Sequence, residues 1–187
     1  MLQDLSRWML YSVMGWKKNV TVELPEKCII CLAPHTSNWD FIVGKLAYLS
    51  VGRQAGFLMK STWFIPPLGW IFKAMGGVPV YRSKDKKKHA QSLSEQLIES
   101  FNSSARLVLA ITPEGTRKRT PQWHTGFLHI AYESNIPVVL AIIDYKLKVA
   151  DVTDVFLPTG KIETDMRQIK EYYRNANGKH PENFTID

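Results

Sequence analysis

The feature that most constrains this chain is the recurrence of short apolar runs of strand length, separated by stretches with helical spacing. Cys28 to Ala33, Phe57 to Lys60, Val78 to Tyr81, Leu107 to Ile111 and Val138 to Ile143 read as strands. Residues 38 to 50, 66 to 75, 86 to 101 and 124 to 134 between them read as helices. This alternation predicts a single α/β domain with a mixed, largely parallel sheet flanked by helices. In such sheets ligands sit beyond the carboxyl ends of the strands, so the residues just after each run are the candidates for chemistry. Past Tyr145 the pattern blurs into short strands around Lys148 to Val152 and Val155 to Leu157, and a polar helix from about Glu163 to Arg174. Gly178 and Pro181 mark residues 175 to 187 as loop.

Ahead of the first run, Leu2, Leu5, Trp8, Met9, Val13 and Trp16 recur at helical spacing, and Lys17 and Lys18 follow. Residues 1 to 18 are therefore expected to form an amphipathic helix, either packed on the domain or lying in a membrane interface, and residues 19 to 187 the domain itself. At 187 residues and 45% hydrophobic content the chain suffices for one substantial core. The formal charge of +7 is local, because residues 41 to 90 hold nine Lys/Arg against one Asp and the rest is close to neutral. A local positive field attracts phosphates, whether on nucleic acid, anionic lipid or a phosphorylated substrate. No stretch of 18 apolar residues and no signal-peptide pattern is found, so the expected location is cytoplasmic, peripheral on the inner face of the cell membrane.

Three segments after strand candidates carry reactive residue types. In Ala33-Pro-His-Thr-Ser-Asn-Trp-Asp40, a neutral His35 is able to take a proton from a hydroxyl, and Asp40 to fix its tautomer. A separation of five would splay the two side chains on a continuous helix, so contact requires His35 on the turn before the helix begins. Ser37-x-x-Asp40 equally fits a capping box, with Asp40 reaching back to a backbone N–H. Both readings stand at this point. In Thr112-Pro-Glu-Gly-Thr-Arg-Lys-Arg119, Pro113 and Gly115 fit a β-turn, and Arg117 offers a planar fork for a phosphate. Gly76-Gly-Val-Pro-Val-Tyr-Arg82 ends in a second such arginine, followed by the lysines at 84, 86, 87 and 88. That lysine run fits a solvated face or an anionic membrane. Residues 61 to 72, rich in large apolar side chains, divide between core and an acyl or lipid surface.

Other chemistries fit less well. Cys28 and Cys31 lie inside an apolar strand candidate, where positions three apart point to opposite faces, so they read as core cysteines and not as a redox or zinc pair. His124 and His129 lack the i, i+4 spacing that puts two metal ligands on one helix face, and no Gly-x-Ser-x-Gly elbow occurs. A non-catalytic membrane or nucleic-acid module would leave the placement of His35, Glu114 and Arg117 at strand ends unexplained.

His35-x4-Asp40, Gly77 to Arg82, Glu114-Gly-Thr-Arg117 and Ile136-Pro137, in this order and at these separations, resemble the four sequence blocks of the glycerolipid acyltransferases, of the 1-acylglycerol-3-phosphate acyltransferase type. The likeness spans roughly residues 28 to 145. The resemblance implies that His35 and Asp40 form a catalytic dyad and that Arg82, Glu114, Gly115, Thr116 and Arg117 bind or shape the pocket for the acceptor, with Pro137. Lys60 is a candidate for oxyanion or donor contact. It implies transfer of a fatty acyl chain from acyl-CoA or acyl carrier protein directly to a lysophospholipid hydroxyl, foremost 1-acylglycerol 3-phosphate, at an anionic membrane surface. No metal, no other cofactor and no nucleic acid is implied. An acylated amino-acid lipid is the alternative acceptor. The pattern departs from the family at Thr112, usually aromatic or aliphatic, and at Lys118, often Ser.

Overall fold

A computed structural model describes residues 1–80 and 92–187. Among these, seven strands make one sheet in the order β1-β7-β6-β2-β5-β3-β4. The strands are β1 Lys17–Val20, β2 Lys27–Leu32, β3 Gly56–Lys60, β4 Gly77–Val80, β5 Leu107–Ile111, β6 Val138–Asp144 and β7 Val149–Phe156. Helices α1 Leu2–Arg7, α2 Trp39–Ser50, α3 Leu68–Ala74, α4 Leu93–Ser103, α5 Gly126–Glu133 and α6 Ile162–Tyr172 connect and flank them. The five strands β6, β2, β5, β3 and β4 run parallel, and β7 turns back antiparallel beside β6. The expected mixed, largely parallel α/β sheet is thus what forms.

The central strands are continuous apolar runs because both of their faces are covered. One face carries Ile29, Cys31, Leu109, Val138 and Leu140 under α4, α5 and α6, with Phe101, Leu128, Ile169 and Tyr173 fully buried among them. The other face presents Ile30, Val139 and Ala141, and further along β6 Ile143 packs with Val43 of α2 and Leu10 and Trp16 of the N-terminal segment. Cys28 and Cys31 fall on opposite faces as their spacing predicted, free and buried. Burial pushes the Cys28 thiol up to about 12 and the Cys31 thiol well above its usual value, which keeps both protonated and inert.

Several boundaries differ from the expected ones. The N-terminal helix is α-helical to Arg7 and continues as one π-helical turn from Trp8 to Val13. Lys17 and Lys18, expected as its basic end, instead open β1, paired in parallel with β7 from Lys17↔Val149 to Val20↔Val152. The two short strands expected after Lys148 are one strand, β7, whose pairing with β6 slips between Leu140 and Ile142. α4 starts at Leu93 behind a reciprocal cap, in which Ser92 accepts from the Glu95 amide and Glu95 from the Ser92 amide. Residues 86–91 of the expected helix lie outside the described residues, as do Tyr81, Arg82 and the lysine run.

Candidate active site

Because β2 and β5 are parallel neighbours, the turns that follow them lie side by side at one edge of the sheet. β2 ends at Leu32, the peptide Ala33–Pro34 is cis, and the chain turns through His35 to Asn38 before α2 begins at Trp39. His35 is therefore on the turn and Asp40 in the first turn of the helix, the arrangement that contact requires. The His35 Nδ1 to Asp40 Oδ2 distance is 3.1 Å.

Asp40 is wholly buried. Its Oδ2 also accepts from the Thr36 and Ser37 amides, each at 2.8 Å, and its Oδ1 accepts from the Tyr145 hydroxyl at 2.7 Å. The capping reading and the orienting reading of this carboxylate thus both hold, on different donors. Burial alone would raise its pKa; the hydrogen bonds from His35, Tyr145 and the Ser37 backbone outweigh burial and hold it below the usual carboxylate value. An ionised carboxylate only accepts, so Nδ1 of a neutral His35 carries the proton and Nε2 presents a lone pair. With its side chain 21% exposed, the ring stays accessible from outside.

Glu114 is turned inward. It is buried, and its Oε1 accepts from the His35 amide at 2.8 Å, while no hydrogen-bond partner for Oε2 is found among the described residues. Burial raises its pKa against the opposing effect of the His35 amide. Expected among the acceptor ligands, its carboxylate meets the backbone of the His35 turn and not the open face. The β-turn predicted here is present, with the Gly115 amide on Thr112 O at 3.1 Å. Gly115 has φ +62°, and a Cβ there would stand 2.6 Å from Cδ2 of His124, so the imidazole fills the place of a side chain. Thr116 Oγ1 accepts from the Lys118 amide at 3.2 Å, and the Arg117 guanidinium donates to Oδ1 of Asn38, tying the two turns together across their exposed side. Lys60 ends β3, one strand beyond β5 on the side away from His35. Pro137 precedes β6, at the opposite end of the sheet, where its carbonyl accepts from the Ile29 amide at 3.1 Å. Arg82 lies outside the described residues.

Below the dyad, between the sheet and α2, lies an apolar cavity of about 120 Å³, smaller than the roughly 300–1,000 Å³ typical of small-molecule sites. Asp40 forms part of its wall, together with Leu32, Gly44, Ala47, Tyr48 and Ala141. The small side chains at 44, 47 and 141 leave this space open. Lys45 also borders it, but its ammonium is fastened to Ala55 O at 3.0 Å and Met75 O at 2.6 Å, and burial lowers its pKa.

Sequence reasoning missed Tyr145. It follows β6, the other neighbour of β2, and its register beside Asp40 appears only once the strand order is known. Trp16 packs edge-on against its ring at 5.1 Å. Burial first, and the bond to Asp40 second, push its phenol well above the usual value, so it remains a donor.

An α/β sheet bearing a buried-carboxylate histidine at one strand end, beside an apolar cavity, defines the general class. An acyltransferase family model matches residues 17–144, and the chain belongs to that family. The fold resembles the crystal structure of the 1-acyl-sn-glycerophosphate (LPA) acyltransferase PlsC from Thermotoga maritima, with a TM-score of 0.56 and 16% identity, over 95% of this chain and 80% of that one. None of the curated proteins compared with the chain matches it.

Proposed function

We propose that the protein transfers a fatty acyl chain from the thioester of acyl-CoA or acyl carrier protein to the free hydroxyl of a lysophospholipid, foremost 1-acylglycerol 3-phosphate, giving phosphatidic acid. The observation that carries this reading is the His35–Asp40 contact of 3.1 Å at the edge of the apolar cavity that Asp40 itself lines. Nε2 of His35 takes the proton as the acceptor oxygen attacks the thioester carbonyl. The tetrahedral intermediate collapses, the C–S bond breaks, and the departing sulfur receives the proton, so ester and thiol are the products. Asp40 holds the ring and stabilises the imidazolium. General-base assistance of this kind is worth roughly 10²–10⁴-fold.

The apolar wall beside Asp40 is the side from which the acyl chain approaches. Arg117, at the exposed edge of the site, supplies a planar fork for the acceptor phosphate, with Arg82 as its partner from the sequence pattern, and Thr116 adds a hydroxyl. Gly115 shapes the turn by adopting φ +62° and leaving room for the His124 imidazole. Glu114 serves by holding the His35 amide. Lys60, at the end of β3, is the candidate cation for the developing oxyanion or the donor. The reaction uses no metal or further cofactor.

Two features support work at an anionic membrane surface, on its inner face. Trp63, Ile65, Leu68, Trp70 and Ile71 are exposed large apolar side chains around α3, and no acidic residue occurs between Asp40 and Asp85. Among the described residues no helix is long and apolar enough to cross a membrane.

The test offers purified protein a panel of lysolipids, including an acylated amino-acid lipid, with both donor types, and reads products by mass spectrometry. Phosphatidic acid formed by the wild type and not by a folded His35→Ala variant is the expected result. Undiminished turnover in that variant overturns the mechanism, and reaction only with a non-phosphate acceptor overturns the substrate.

A further inference from the structure

The C-terminal tail after α6 lies outside the stretch matched by the family model, yet it returns to the His35 turn and is fastened there residue by residue. The Tyr173 hydroxyl donates to Cys31 O at 2.6 Å. Asn177 donates through Nδ2 to Oδ2 of Asp144 at 2.9 Å, and its carbonyl accepts from the Tyr145 amide at 2.9 Å. Gly178 is buried so tightly that an added Cβ would stand 2.8 Å from Oγ1 of Thr36 and 3.1 Å from Cβ of Pro34. The His180 amide donates to that same Thr36 Oγ1 at 3.1 Å.

Lys179 stands between these two pinned residues. Its ammonium lies 5.1 Å from the ring centroid of Trp39 and forms no ion pair among the described residues. The carboxylate three residues on, Glu182, faces the imidazole of His180 at 3.6 Å. Arg117, also without an ion pair among the described residues, reaches Asn38, the residue before Trp39. Two cations from distant parts of the chain therefore bracket two consecutive residues of the segment that joins His35 to Asp40. The carboxylates of Asp40 and Glu114 are buried, and each accepts a hydrogen bond from His35 on the inner side of the turn. An unpaired cation held over an indole, beside a second unpaired cation and a reactive histidine, is arranged to meet an anion.

From this we infer that Lys179 is a binding residue for a substrate phosphate, acting with Arg117. The inference rests on the acyl-transfer reading for the identity of the substrate. The phosphate belongs either to the acceptor headgroup or to the donor, and the same chemistry serves both. The ammonium supplies charge, the guanidinium supplies directed donors, and the contact of Gly178 with Thr36 anchors the tail that carries the ammonium.

The experiment compares wild type with Lys179→Ala, Lys179→Met and Lys179→Arg in steady-state kinetics. Acceptors are lysophosphatidate and uncharged monoacylglycerol; donors are acyl-CoA and an acyl-pantetheine without phosphate. Lys161→Ala, at the far end of the sheet before α6, is the control for loss of one surface charge. The expected result is a KM raised roughly 5- to 10-fold for one phosphate-bearing substrate, with kcat and the uncharged counterpart little changed, in Ala and Met alike. Arg restores much of the loss. A rise for lysophosphatidate assigns Lys179 to the acceptor, and a rise for acyl-CoA assigns it to the donor. Equal effects on charged and uncharged substrates, or rescue by Met, which keeps the apolar stem over Trp39, overturn the inference. Thermal shift with glycerol 3-phosphate, without donor, provides a separate reading. If the wild type binds it, Lys179→Ala binds it more weakly and no acyl transfer is found, the functional reading fails while the phosphate site stands.

Discussion

On one face of the sheet, Leu109, Val138 and Leu140 are sealed under three helices; on the other, Ala110, Val139 and Ala141 of the same strands border an apolar cavity beside α2. The strands are shared, so the difference lies in side-chain size at alternate positions and in what covers them. The filled face supplies stability. The hollow face leaves out side chains that would complete a core, and at its border places a carboxylate with every oxygen engaged. On the proposed acyl-transfer reading, stability and chemistry are thereby divided between the two sides of single strands.

Asp40→Asn is expected to give the largest effect. It removes the charge that holds the His35 tautomer, and turnover should fall by roughly 10²–10⁴-fold with the fold kept, as judged by circular dichroism. A stable variant of full activity would break the assignment of chemistry to the hollow side. Next come the adjacent residues Leu140 and Ala141. Leu140→Ala should cost about 2–5 kcal/mol of unfolding free energy in urea. Ala141→Leu, filling the cavity, should leave stability equal or raise it by about 0.5–2 kcal/mol while cutting transfer of long acyl chains more than short ones. Equal destabilisation by both would erase the contrast between the faces.

Tyr145→Phe sharpens it at the dyad. Loss of one donor raises the folded pKa of Asp40, so the acid limb of the activity profile should move to higher pH, with kcat reduced more than KM is changed; the same substitution at Tyr172, which bonds Thr153, should leave that limb in place. Because Asp40 titrates below its unfolded value, its contribution to stability is complete above that unfolded value and disappears as pH falls through the folded one. Glu114 has the opposite sign. Its raised pKa means that its ionised form is disfavoured in the fold, so stability declines as pH rises through the folded value. Glu114→Gln, which keeps an acceptor for the His35 amide, should show the smallest effect, a higher Tm than wild type at pH 8 and a gap that closes towards pH 4.

The central strands were legible because burial on both faces writes a continuous apolar run. The His35–Asp40 geometry was legible because a local turn decides it. β1 was not, since Lys17-Lys18-Asn-Val20 has no apolar signal and is a strand only by pairing at the sheet edge. Nor was Tyr145, 105 residues from Asp40, nor the tail, whose polar composition reads as loop while Gly178 and Asn177 are locked in place by groups far away in sequence. Glu114 was noticed but its direction was not, because a motif states which residue is present and not which way it faces.

The pairing of Lys17 with Val149 also bears on synthesis. β1 cannot be seated until its partner strand has left the ribosome. At roughly 5–20 residues per second the wait is about 7–26 s. Throughout that interval Leu10 and Trp16, buried in the finished fold, travel on a nascent chain without their Ile143 partner, so a bilayer beside the ribosome competes for this segment before its own sheet does.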